Sequence, residues 1–87
     1  MAKIVENKKG FKVIEVSLSD IIRQGGLGVC DYCNKRVSGK GYYIAVLNAI
    51  YCEKCYGRWI TDARYCTEDM DIERRNFDYM KEILNLD

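Results

Sequence analysis

At 87 residues, 48% hydrophobic and 31% charged, with a formal net charge of +1, the chain has the make-up of a small globular domain. The near-neutral balance exerts no global pull toward nucleic acid, and apolar runs of only a few residues exclude a membrane-spanning helix. Histidine is absent, which removes Cys₂His₂ fingers, histidine-based triads, histidine-metal nucleases and His-x-Glu deaminase sites.

The charge is unevenly placed. Residues 1–50 carry +4, residues 51–66 carry +1 and residues 67–87 carry −4. Five cysteines make an odd count, which argues against a closed disulfide framework. The first residues, Met1 to Lys9, lack the apolar stretch of a secretory signal. A cytoplasmic, intracellular chain with reduced thiols is therefore expected, and there clustered cysteines hold metal more often than they pair.

In chain order, residues 1–9 read as a flexible polar arm, followed by a single domain over residues 10–87. Gly10 to Val16 alternates as a strand, with Phe11, Val13 and Glu15 on one face and Lys12, Ile14 and Val16 on the other. Apolar residues on both faces imply cover on both. Ser17 or Ser19 then caps a short helix, Ser19 to Gln24, stopped by Gly25-Gly26. With Gly28, these glycines form a pliable approach to Cys30. Beyond a turn-rich loop, Tyr42–Val46 and Ala49–Tyr51 flank Leu47-Asn48 as a hairpin with Asn at the turn. One of Tyr42 and Tyr43 is expected in the core. Tyr56, Trp59, Ile60 and Ala63 then form the apolar stripe of a helix from about Glu53 to Arg64. A C-terminal helix within residues 68–86, about Met70 to Leu84, has an acidic first turn and an expected buried stripe of Ile72, Phe77, Met80 and Leu84, with Ile83.

The densest chemistry is Cys30-Asp31-Tyr32-Cys33, eighteen residues, then Cys52-Glu53-Lys54-Cys55. Two residues between cysteines let one tight turn aim both sulfurs at a point, and two such turns supply a tetrahedron. The expected cofactor is one structural Zn²⁺ held by Cys30, Cys33, Cys52 and Cys55. Four thiolates close the coordination shell, whereas a catalytic zinc keeps a position open for water. No enzyme activity is expected. Cys66 remains outside the set as a free, partly buried thiol.

Cys30-x-x-Cys33, the Tyr42–Tyr51 hairpin and Tyr51-Cys52-Glu53-Lys54-Cys55-Tyr56 running into Trp59 resemble a treble-clef zinc finger over roughly residues 28–64. The spacing is similar to GATA-type fingers, and Tyr-Cys-x-x-Cys-Tyr is similar to the second pair of a LIM module. The GATA-type Thr-Pro-x-Trp-Arg loop is missing, as are the second site and the histidine or aspartate ligands of a LIM domain. The resemblance implies an architecture and a metal, and no particular function. A zinc ribbon is the structural rival. Ribbons place Gly after the second cysteine of each knuckle, where this chain has Asn34 and Tyr56.

The expected fold is α+β: a zinc-stabilised treble-clef-like knuckle, hairpin and helix, with a preceding strand and short helix and a closing C-terminal helix. The function expected first is a module for protein–protein interaction or assembly, through the acidic last helix and the basic N-terminal half. The alternative is nucleic-acid binding by the Lys35–Lys40 loop and the Trp59 helix, with Lys35, Arg36, Lys40, Lys54 and Arg58 as contacts. Against that alternative, basic groups near a Zn(Cys)₄ centre also serve to offset its −2 charge. No membrane partner is expected, and the oligomeric state is open.

Overall fold

The computed structural model describes residues 2–86; Met1 and Asp87, the outer ends of the expected arm and domain, lie outside them. Strands β1 (Lys3–Val5), β2 (Val13–Ser17), β3 (Lys40–Ile44) and β4 (Ala49–Cys52) form a four-stranded antiparallel sheet in the order β1-β2-β3-β4. Helices α1 (Leu18–Arg23), α2 (Glu53–Asp62) and α3 (Met70–Ile83) complete an α+β fold, α3 being led in by a 3₁₀ turn at Thr67–Asp69. No helix among the described residues is long and apolar enough to cross a membrane.

Part of the expected N-terminal arm is a strand. Ile4 pairs with Ile14, and Lys3 stands opposite Glu15 with their charged groups 3.8 Å apart. Strand β2 starts three residues later than alternation alone suggests. Before it, Asn7 folds its side chain onto the Phe11 backbone, accepting from Phe11 N–H and donating to Phe11 C=O.

The sheet is covered on both faces, as the two-sided hydrophobicity of β2 implies. Ile14 of β2, Tyr43 of β3 and Ile50 of β4 are in register on one face. They pack with Ile21 of α1, with Phe77 and Met80 of α3 and with Leu84 just beyond its end. On the other face Val13 and Tyr42 pack with Phe11 and the Tyr56–Trp59–Ile60 side of α2. Tyr42 and Tyr43 are therefore both core, each on its own face. Burying each large apolar side chain contributes about 1.5–3 kcal/mol.

Helix α1 follows β2 without a loop because Ser17 serves both elements. Its Oγ accepts from Asp20 N–H while Asp20 Oδ2 accepts from Ser17 N–H, a reciprocal capping box. After α1 the chain turns through Gly28 at φ +79°, where a Cβ would lie 2.6 Å from Leu18 Cδ1. The positive φ favours glycine, and Leu18 would have to turn aside for any larger residue.

Helix α2 ends at Asp62, two residues before the expected Arg64. Ala63 is already extended (φ −67°, ψ 144°), and Lys9 Nζ donates to its carbonyl at 2.7 Å. Helix α3 and its C-cap bury Phe77, Met80 and Leu84 as expected, but not Ile72, which is 47% exposed. The inward position one turn before Phe77 belongs to Glu73, which is fully buried. Its Oε2 accepts from Lys12 N–H at 2.9 Å and its Oε1 from the Tyr65 hydroxyl at 2.7 Å. A helical pattern scored on apolar residues selects Ile72 and passes over the carboxylate. The backbone N–H of Lys12, facing α3, needs an acceptor there.

Glu73 thus joins three segments: the approach to β2, the chain after α2, and α3. Glu73→Ala should lower stability by about 2–4 kcal/mol, because it strands the Lys12 N–H and the Tyr65 hydroxyl and leaves a cavity. Glu73→Gln, which keeps an acceptor, should lose less than half as much. Urea unfolding followed by far-ultraviolet circular dichroism measures both.

Candidate metal centre and the groove beside it

Two backbone devices bring the four sulfurs together. In the first, Val29 and Arg36 bridge across a small antiparallel loop, and Cys30 N–H donates to Lys35 C=O at 2.8 Å. The loop closes because Asn34 takes the left-handed conformation (φ 63°), its N–H bonding to Cys30 C=O. Asn accepts that conformation at little cost, which is why glycine is not needed at this knuckle. The N–H groups of Tyr32 and Cys33 then point at Cys30 Sγ, 3.4 and 3.5 Å away. In the second device, Cys52 ends β4 and is the N-cap of α2, so Cys55 falls on the first helical turn. Tyr56 follows inside the helix, where no left-handed residue is required.

The Sγ atoms of Cys30, Cys33, Cys52 and Cys55 all lie within 4.8 Å of one another, and those of Cys33 and Cys52 are 4.0 Å apart. Tetrahedral thiolate ligation at ~2.3 Å per bond sets sulfurs ~3.8 Å apart, so the donor set fits a metal ion with little movement. Cys30 is buried and the other three are half-buried. Burial works to raise the Cys30 thiol, but the backbone N–H groups of Cys33, Cys52 and Tyr32 outweigh it and hold the group below the ordinary range. Cys55 is pushed up, by desolvation and by the neighbouring thiols of Cys52, Cys30 and Cys33. Four crowded thiols shed their protons together only when a cation takes the charge.

Asp31, one of the residues between ligands, locks the two devices to each other. Its N–H donates to Ile50 C=O at 2.8 Å, and its Oδ2 accepts from Ile50 N–H at 2.8 Å. The first knuckle thereby covers the outer edge of β4. Sequence inspection gave Asp31 no role, since nothing in a Cys-x-x-Cys spacing says which x reaches a strand eighteen residues away. Cys66 is exposed and not partly buried, and stands outside the sulfur cluster.

Of the five basic residues expected as partner contacts, four come together. Lys35 and Arg36 from the first knuckle face Lys54 and Arg58 from α2 across a groove of about 420 Å³, with Tyr32 and Ser38 in its walls. Lys40 does not join them; its ammonium lies 3.8 Å from Glu15. A second hollow of about 410 Å³ continues along α2 and is lined by Tyr32, Arg58, Trp59 and Ala63 among others. The two share Tyr32, Cys55 and Arg58, so they form one furrow between knuckle and helix. Tyr32 is 69% exposed at its centre, edge-on to Tyr51 with ring centroids 5.6 Å apart.

No family model matches this sequence, and no curated protein or solved structure matches it either.

Asp31→Ala should destabilise the fold by about 1–3 kcal/mol, because the buried-edge N–H of Ile50 loses its acceptor. Cys66→Ser should leave both metal stoichiometry and thermal midpoint unchanged. Metal content by native mass spectrometry, together with thermal melts, checks the pair.

Proposed function

We propose that the chain is a non-catalytic binding module, built as a treble clef around one structural Zn²⁺ and working in a reducing, intracellular setting. The observation that carries this reading is the convergence of four cysteine sulfurs within 4.8 Å, with no other ligand type in the cluster among the described residues. An all-sulfur tetrahedron suits zinc, is closed to water and has no site for substrate. The treble-clef reading is supported over a ribbon by the order of parts. A knuckle leads to the β3–β4 hairpin, and α2 begins within the second cysteine pair.

Docking on another protein is supported by α3. Its outer face presents Ile72 and Tyr79, both exposed, beside Asp71, Asp78 and Glu82. An anionic ligand is favoured by a separate observation, the gathering of Lys35, Arg36, Lys54 and Arg58 about one groove. Zinc chemistry at this site is structural. The bound ion takes up thiolate charge and ties the knuckle to the hairpin and α2, while the residues around it meet the partner.

Purified protein should carry one zinc per chain by native mass spectrometry. Cys30→Ser should lose it and lower stability by about 3 kcal/mol or more, roughly 15 °C in midpoint for a domain of this size. Chelation of the wild-type protein should reproduce that shift. A protein that contains no zinc and melts identically with and without chelator would overturn the reading.

A further inference from the structure

We infer that the furrow between the first knuckle and α2 is a binding site for single-stranded nucleic acid, with phosphates held at its Lys35–Arg36–Lys54 end and a base stacked on Tyr32 beside Trp59. The inference deepens the binding-module reading and rests on it.

The cations come from opposite walls, two from the knuckle and two from α2, and a linear polyanion running between them meets both pairs. Among the described residues, none of these four side chains makes an ion pair. Five other lysines are engaged: Lys3 and Lys40 with Glu15, Lys9 with the carbonyls of Thr61 and Ala63, and Lys12 and Lys81 over the Phe77 ring; Lys8, among the described residues, is not. The groove cations are therefore available to a ligand without breaking an internal contact. Not all of their charge is free. Glu53 and Asp62 also face the furrow, and a zinc held by four thiolates leaves −2 beneath it. Binding is for that reason weak.

Aromatic groups decide between polyanions. Tyr32 projects into solvent at the junction of the two hollows, and Trp59 lines the far one while its ring packs against Phe11, centroids 4.7 Å apart. A flat exposed ring beside phosphate-binding cations is the combination by which proteins hold unpaired bases. An acidic peptide would use the cations and leave the rings idle. Hollows of about 410 and 420 Å³ are of small-ligand size. They admit single nucleotides, whereas a duplex keeps its bases stacked away from Tyr32.

The test uses the zinc-bound chain with fluorescein-labelled 12-mers of thymidylate and uridylate, read by anisotropy from about 20 mM to 0.2 M salt. Four phosphate contacts predict a log–log slope of about −2 to −3 for a single strand. Trp59, the one tryptophan of the chain, should lose emission as the site fills. Lys35→Glu with Arg36→Glu should weaken binding at least tenfold. Tyr32→Ala should weaken it about tenfold and Tyr32→Phe hardly at all, since stacking needs the ring and not the hydroxyl. Zinc content is measured in every variant, so weakened strand binding with one zinc retained places the site in the furrow, whereas a zinc-bound wild-type chain that binds no strand refutes the inference and leaves the module reading standing. No binding at 20 mM salt would overturn the inference. So would equal or tighter binding of a duplex of the same length, equal binding of a glutamate 12-mer, or unchanged affinity in Tyr32→Ala.

Discussion

The arrangement depends on joining a short loop to the edge of a sheet. Cys30 and Cys33 come from a tight knuckle, Cys52 from the last residue of β4 and Cys55 from the first turn of α2. The shared sulfur cluster brings three elements to one place. The paired hydrogen bonds between Asp31 and Ile50 set the angle at which the knuckle meets the strand. The two devices are complementary. The bonds orient the knuckle, and a metal, once ligated, supplies the larger share of the energy that keeps it there.

That junction also sets the surface. Because the knuckle lies against the edge of β4 and α2 leaves from the same strand end, their basic side chains face each other across a furrow and do not point apart. Lys35 and Arg36 are nineteen and eighteen positions from Lys54 in the sequence, yet they share its groove. The acidic residues of α3 belong to an element that packs on the Ile14–Tyr43–Ile50 face of the sheet. Charge that nearly cancels over the chain is thus sorted into regions by the topology, and local fields differ from the net value.

Away from the metal, the sheet carries its own support. Both faces are covered, and Glu73 ties the lead-in to β2, the chain after α2 and α3 through two short hydrogen bonds. Such a residue stabilises mainly by denying its partners an unpaired state, so its removal costs more than its presence contributes. Asn76 acts similarly nearby, donating to Ala45 C=O at 2.9 Å where β3 turns into the hairpin. Asn48, at φ 51°, closes that turn and accepts from the Tyr43 hydroxyl at 2.7 Å.

The sequence by itself determined features that are local. The two Cys-x-x-Cys pairs define the sulfur cluster because each knuckle is built within four residues. The hairpin about Asn48, the cap at Ser17, the Tyr56–Trp59–Ile60 stripe and the Phe77–Met80–Leu84 stripe also follow from short-range chemistry and periodicity. Tertiary structure decided whatever depends on a partner distant in the chain. Lys3–Val5 becomes a strand only because β2 offers an edge, and Lys40 leaves the basic group because β3 brings it to Glu15. Ile72 yields the inward position to Glu73 because Lys12 N–H and the Tyr65 hydroxyl arrive there needing an acceptor. Asp31 gains its role from a strand eighteen residues downstream. Hydrophobic period records which side of an element is dry, whereas the pairing of polar groups depends on which backbone atoms meet, and only the folded chain brings those together.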